Sequence, residues 1–205
     1  MAHTIPKITI KNTFRHFGKV CKHKWWVFYY CCKAGIPWRG VKHDMSKFSP
    51  VEFWESVRYY QGTSSPIDAC KKDKGVSRAW MHHKGRNSHH YEYWVDNFDN
   101  GGQPVQMPYK DAVEMLCDYL GAGRAYMGKD FTYQKEYEWW CKKCEKPLAM
   151  HEHTKSFIHK VLCNLNHSAS SSLNKPYCIF NPRDLFNIYQ LEEHKIRARK
   201  ENALG

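Results

Sequence analysis

No apolar run in this chain can cross a bilayer. The longest, Trp25 to Cys32, is bracketed by Lys24 and Lys33, and a membrane helix needs about 20 apolar residues. Alternating runs of β-branched residues are scarce, so the period-two signature of a β-protein is missing. There is no internal repeat, which excludes solenoids and propellers. Acidic residues are few, 20 against 32 basic, giving a formal charge of +12. The opening MAHTIPKITIKN lacks the apolar core of a secretory signal. Cysteine is not scarce, but its number, nine, is odd and includes the neighbours Cys31 and Cys32. That pattern fits a disulfide framework poorly, and the expectation is free thiols in a reducing cytoplasm.

What is present fills a core. A hydrophobic fraction of 42% with 15% aromatics argues against global disorder, and 205 residues fit one domain with room for an appendage. The basic balance favours anionic partners, namely nucleotides, nucleic acid or other phosphorylated molecules, although an ordinary solvated surface carries such charge too.

Helical spacing recurs along the chain. Phe14, Phe17, Cys21 and Trp25 lie three or four apart, and Gly35 and Pro37 end that first helix. A second helix is expected over Trp38 to Phe48. Ser49, Pro50 and Glu52 form a capping-box start, followed by Phe53, Trp54, Val57 and Tyr60. Thr63 to Lys74 reads as a polar connection, Val76 to His83 as a short helix resuming at His89 to Phe98, and Asn100 to Pro108 as a loop. Pro108 opens a helix with Ala112, Val113, Leu116 and Leu120 inward. Thr132 to Cys144 and Thr154 to Asn164 follow, then a low-complexity linker, Ser168 to Ser172, and an amphipathic stretch, Pro182 to Arg197. The fold class is all-α, with one domain over residues 1–165 and a linker and helical tail over 166–205.

The chemistry concentrates in histidine. His23, His43-Asp44, His82-His83 and His89-His90 precede Asp118. Imidazole with carboxylate suits divalent first-row metals. Adjacent His and Asp leave a helix about 100° apart and converge on one ion at a helix end, where Asp118 from a distant helix can close the shell. Singly these residues have plainer readings: His23 as a packed histidine, the paired histidines as a basic loop, Asp118 as a surface carboxylate. Cys141 and Cys144 have half a zinc-site spacing, with His151, His153, Cys163 and Cys178 as paper partners, but no second pair follows and the first lies in a helical stretch.

The string Lys42-His43-Asp44-Met45-Ser46-Lys47-Phe48 resembles the HD signature of HD-domain proteins, over about residues 14 to 128. KHDMSKFSPVEFWESVRYYQG, AWMHHKGRNSHHYEYW and MPYKDAVEMLCDYLGAGRAYMG resemble a family of bacterial and phage proteins with this HD-like core. The resemblance implies an HD-like helical bundle over residues 1–165 with a short C-terminal helical extension. It assigns His23, His43, Asp44 and Asp118 to one ion, and His82 or His83 with His89 to a second, leaving His90 behind the ligands. One or two divalent transition ions, manganese, iron, zinc, nickel or cobalt, are implied. The implied activity is phosphohydrolysis of a nucleotide or other phosphate ester, with the ion acidifying water and polarising a phosphoryl oxygen. Asp44 and Lys47 would serve catalysis, Lys47 by stabilising phosphate charge. Arg86, Arg58 and Arg124 would clamp phosphate, and Asn87 would orient a substrate oxygen or a histidine. Glu52 and Glu55 are candidate acid/base groups, or plain helix-surface carboxylates. The absence of a GYP string argues against a cyclic-di-GMP phosphodiesterase. Two alternatives stand beside this: a di-iron oxygenase on the same scaffold, and a non-enzymatic nucleic-acid-binding protein using basic and aromatic side chains. No membrane partner is expected, and the oligomeric state is not legible.

Overall fold

The side-chain hydroxyl of Thr9 accepts the backbone N–H of Asn12 and starts the first helix, α1 (Ile10–Lys33), as a residue in that capping position does. The computed structural model describes residues 8–170 and 180–204. His16, Val20, His23, Val27 and Tyr30 repeat at intervals of three and four and form the buried stripe of α1. Gly35, at φ 76°, turns the chain into α2 (Pro37–Lys42).

The α2 helix ends earlier than the sequence pattern implies. The expected helix over Trp38 to Phe48 is broken at His43-Asp44: His43 is already extended, Asp44 is left-handed at φ 54°, and a 3₁₀ turn, Met45–Phe48, follows. Ser49 then caps α3 (Pro50–Arg58) by accepting from the Glu52 N–H. The Glu52 side chain does not complete a capping box, because two histidines engage it instead. The supposed polar connection contains α4 (Pro66–Lys74), started by Pro66 at its first position. Next comes α5 (Arg78–Lys84). The stretch His89 to Phe98 is not helical as expected. It holds a 3₁₀ turn, Tyr91–Trp94, and a short strand, β1 (Val95–Asp96). That strand pairs antiparallel with β2 (Gln103–Pro104), Val95 opposite Pro104.

The centre of the molecule is α6 (Tyr109–Met127), whose residues from Asp111 to Gly121 are buried on every side. Its principal neighbour is α1. A Cβ at Gly121 would lie 2.5 Å from Val27 Cγ2 and 3.0 Å from the Val27 backbone nitrogen, so the two helices touch there, backbone against side chain. His23 lies one turn before Val27 and Asp118 one turn before Gly121, so this crossing brings the two together.

The far side of α6 packs against α7 (Tyr133–Cys144), α8 (Glu152–Ser170) and α9 (Pro182–Leu204). Trp140, Phe157, Ile158, Leu162 and Leu165 are fully buried there. The tail helix joins this core rather than standing apart: Leu185 and Tyr189 are buried, Tyr189 Oη donates to the Met107 carbonyl at 2.6 Å, and Ser156 donates to Glu192. Of the expected Ser168 to Ser172 linker, residues 168–170 belong to α8 and the remainder lies outside the described residues, as does Cys178. The fold is all-α, with nine α-helices and the one two-stranded ribbon among the described residues. No described helix is long and apolar enough to cross a membrane.

Candidate metal centre

The break after α2 aims two side chains at one point. A non-glycine residue at positive φ is uncommon; among the described residues only Asp44 and Asn97 adopt it. The left-handed turn at Asp44 places its carboxylate beneath the His43 ring, which a continuing helix would have rotated about 100° away. The His43 carbonyl is held by Lys24 Nζ from α1, which ties the turn to the helix carrying His23.

Two groups of donors meet at Asp44 from opposite sides. On one side, Asp44 Oδ2 lies 3.2 Å from His23 Nε2 and 3.1 Å from His43 Nε2. Asp118 Oδ1 lies 3.1 Å from His23 Nε2 and 3.5 Å from His43 Nε2, and the two imidazole nitrogens are 3.4 Å apart. Bonds of about 2.1 Å in a tetrahedral shell separate ligand atoms by about 3.4 Å, so these spacings already have the dimensions of a coordinated ion. On the other side, Asp44 Oδ1 lies 3.2 Å from His83 Nε2 and 3.3 Å from His89 Nε2, and His90 completes a second group. Asp44 Oδ1, His89 Nε2 and His90 Nε2 are buried without a hydrogen-bond partner. Orphaned buried polar atoms are costly, and these three converge within a group of donors that could hold a metal ion.

The opposite edges of the rings are fixed by carboxylates. Glu114 Oε1 accepts from His43 Nδ1 at 3.0 Å and lies 3.2 Å from His89 Nδ1. Glu52 accepts from His83 Nδ1 at 2.7 Å, and Asn87 donates to the His83 carbonyl at 2.7 Å and to Ser46 Oγ at 2.9 Å. A carboxylate on Nδ1 leaves the Nε2 lone pair facing inward, the tautomer a metal ligand needs. Arg39 in turn holds Glu114 at 2.9 Å and Asp111 at 2.7 Å. His43, His89 and Glu114 also approach one another closely enough to hold an ion, but there the imidazoles present the nitrogens already hydrogen-bonded to Glu114. We read that trio as the support behind the two ligand groups.

The electrostatics follow this packing. Burial opposes ionisation of Asp44, yet the charges of His43 and Lys47 overcome it and hold the carboxyl well below its usual range. Burial likewise opposes ionisation of Asp118, and hydrogen bonds from His23 and His43 reverse the effect. Burial disfavours the charged form of His43, but Asp44, Asp118 and Glu114 raise it well above an ordinary imidazole. Glu114, similarly opposed by burial, is drawn down to about 2 by its histidine partners. Burial and the neighbouring His89 keep His90 neutral, the form that ligates. Lys47 Nζ stands 2.5 Å from Asp44 Oδ2, a cation beside the oxygen of the first group.

Of the residues expected from sequence, His23, His43, Asp44, His83, His89 and Asp118 come together. His82 does not: one position along α5 from His83 it turns away, and its Nδ1 pairs with Glu52 at 2.6 Å. His90, expected behind the ligands, stands among them. The three arginines are not gathered as phosphate clamps. Arg124 donates to Tyr30 Oη at 3.2 Å and lies over the Trp26 and Phe131 rings. Arg58 lines a separate groove with Trp54 and Arg78, and Arg86 is exposed just beyond α5. Glu55 is committed elsewhere, accepting from Ser77 Oγ at 2.5 Å and from the Ala79 N–H. No cysteine, Cys141 and Cys144 included, joins a candidate metal group among the described residues. Glu114 and Arg39 went unread in the sequence, although Asp111, Glu114 and Asp118 recur at helical spacing in an apolar helix, a signal of buried acids facing one way.

A cavity of about 710 Å³ opens beside this centre, with His90 in its wall. A model of a family of unknown function, DUF5662, matches residues 12–164. The chain belongs to that family, and the matched stretch contains every member of both ligand groups. No curated protein and no solved structure matches the chain.

Proposed function

We propose that this protein is a metal-dependent phosphohydrolase of the HD type that binds two divalent transition ions and hydrolyses a phosphate ester, a nucleotide being the foremost candidate. The observation that carries this reading is Asp44, whose two oxygens each face a separate set of imidazole nitrogens. His23, His43 and Asp118 would hold one ion with Asp44 Oδ2, and His83, His89 and His90 the other with Oδ1. The order His, His-Asp, further histidines, Asp along the chain supports the HD relationship. Ions at such a pair of positions supply Lewis acidity and an acidified water.

The remaining work falls to the chain. Glu114 and Glu52 hold the rings by Nδ1, so that Nε2 is the nitrogen each would offer an ion. Lys47, three residues past Asp44 and half-buried, would neutralise a phosphoryl oxygen, a role that its position beside Asp44 Oδ2 supports. The overall charge of +12 draws anions toward the cavity. The nitrogen-rich second group also suits iron, as it suits zinc and nickel, and an oxygen-activating di-iron centre is the second reading.

Metal analysis of the purified protein, followed by a screen of phosphate esters with the metal found, tests the proposal. Two equivalents of manganese, zinc, nickel, cobalt or iron and a hydrolysis lost in Asp44→Asn are expected. Protein that binds no transition metal overturns it. A coloured di-iron preparation that consumes dioxygen and leaves phosphate esters intact shifts the assignment to the oxygenase.

A further inference from the structure

The cavity beside His90 lies within the size range of small-molecule sites, and its lining is not what a phosphate alone requires. Five aromatic side chains line it: Trp80, Tyr91, Tyr119, Tyr126 and Trp139. Lys71 Nζ sits 4.7 Å from the centre of the Trp80 ring, and Lys143 Nζ 5.3 Å from those of Tyr119 and Trp139. Such faces stack planar rings, and cationic side chains against them add to that preference.

Glu136 is the unexpected member of this lining. It is 3% exposed, and its side chain makes no hydrogen bond or ion pair among the described residues. Room for it is made by Gly123 on α6, where a Cβ would fall 2.1 Å from Glu136 Oε2; any other residue there would displace the carboxyl. Burial, with a smaller contribution from Asp118, pushes its pKa up to about 8. At neutral pH it is therefore a carboxylic acid, with a donor and an acceptor side by side on one planar group. A carboxyl in the cavity wall, with no side-chain partner of its own, offers that pair to a ligand edge that presents the complement.

We infer that this cavity receives a planar, nucleobase-like heteroaromatic ring, stacked on the aromatic walls, and that Glu136 is the residue that reads its hydrogen-bonding edge. The ring would be the organic part of the phosphate ester, so the inference rests on the proposed hydrolase only for what is attached to the ring.

Calorimetric titration of the full chain with the common ribonucleosides, which need no metal-site contact, tests it, with ribose and ribose 5-phosphate as ringless controls. At least one nucleoside should bind while the ringless compounds do not. Glu136→Ala should weaken that binding by about tenfold or more, the usual result when a hydrogen-bonding edge loses its partner, and Glu136→Gln, which keeps a donor and an acceptor, should restore it. Trp139→Ala, at a half-exposed position, should weaken binding with the fold intact by circular dichroism, which keeps the test decisive if Glu136→Ala fails to fold. Absence of nucleoside binding, equal binding of ribose 5-phosphate, or binding unchanged in both Trp139→Ala and Glu136→Ala overturns the inference. Nucleoside binding without hydrolysis of any phosphate ester leaves the ring site standing and removes the hydrolase. Hydrolysis of ribose 5-phosphate without nucleoside binding does the reverse.

Discussion

Glu136→Gln should make the protein more stable, and by an amount that grows with pH. In the folded chain the carboxyl keeps its proton up to about pH 8, whereas its ordinary value is 4.5. Between these values the folded state binds more protons than the unfolded state, so stability falls as pH rises. The contribution of Glu136 is fully favourable below the unfolded value and is lost through the folded one. A window of about 3.5 units corresponds to about 5 kcal/mol, of which about 3 kcal/mol is already lost at pH 7. Glutamine fills the same space beside Gly123 and does not titrate. Urea denaturation of both proteins at pH 5, 6, 7 and 8, in chelator so that no ion adds charge near Asp118, gives the comparison. The difference between them should widen by several kcal/mol across the series, and other titrating groups cancel in it where they do not touch residue 136. A difference that stays constant with pH would refute the reasoning, because it would mean that Glu136 is ionised in the folded state.

Other perturbations separate the layers of the site. Loading chelated protein with manganese or zinc at about a thousand times the dissociation constant should add about 4 kcal/mol of stability for each ion bound, read as a rise in melting temperature that Asp44→Asn abolishes. Glu114→Gln should weaken metal affinity by about 10- to 100-fold, measured by competition with a chromogenic chelator, while the helical circular dichroism stays unchanged. Arg124→Ala should lower the melting temperature through loss of its contacts with Tyr30, Trp26 and Phe131 but leave metal affinity at the wild-type level; a change in affinity would return Arg124 to the site. Trp140→Ala, in the packing of α6 on α7, should cost about 3–5 kcal/mol, and a near-neutral result would contradict the burial described.

Much of this molecule is written in local pattern, and what is not has a common cause. The helices α6, α7 and α8 follow from apolar spacing of three and four, a signal carried within each segment. By contrast, Phe14, Phe17, Cys21 and Trp25, which mark α1 as a helix, lie on its exposed face, and the buried face carries His16, Val20, His23, Val27 and Tyr30 instead. The candidate ligands His23, His43, Asp44, His83, His89 and Asp118 are legible because their residue types are chemically specific. The break at His43-Asp44 is invisible to periodicity, since Val41, Met45 and Phe48 continue a helical rhythm across it; only the converging ligands require the left-handed turn. The choice between His82 and His83 depends on where α5 packs against α3 and so on which ring faces Asp44, a tertiary fact. The arginines were misplaced for a related reason. Guanidinium is as well suited to bracing buried tyrosine and aromatic rings, as Arg124 does, as to holding phosphate, and sequence alone does not distinguish the two uses.

Charge balance makes sense of the whole centre. Asp44, Glu52, Asp111, Glu114 and Asp118 are all buried, while the fixed cations in contact with them are Arg39 and Lys47. Five carboxylates against two cations leave an excess of negative charge that a low-dielectric interior does not tolerate. Without ions the excess is met by protons, which is why His43 and His83 are raised above an ordinary imidazole even though burial works against it. Two divalent ions would supply four positive charges and return those imidazoles to the neutral state in which they ligate. The carboxylates behind the rings thus have two consequences at once. They orient the ring of each histidine they touch, and they build up a negative charge that protons offset and a pair of metal ions would offset better. The left-handed conformation of Asp44, which costs stability in isolation, is sustained by contacts at both of its oxygens, with His23 and His43 at Oδ2 and with His83 and His89 at Oδ1.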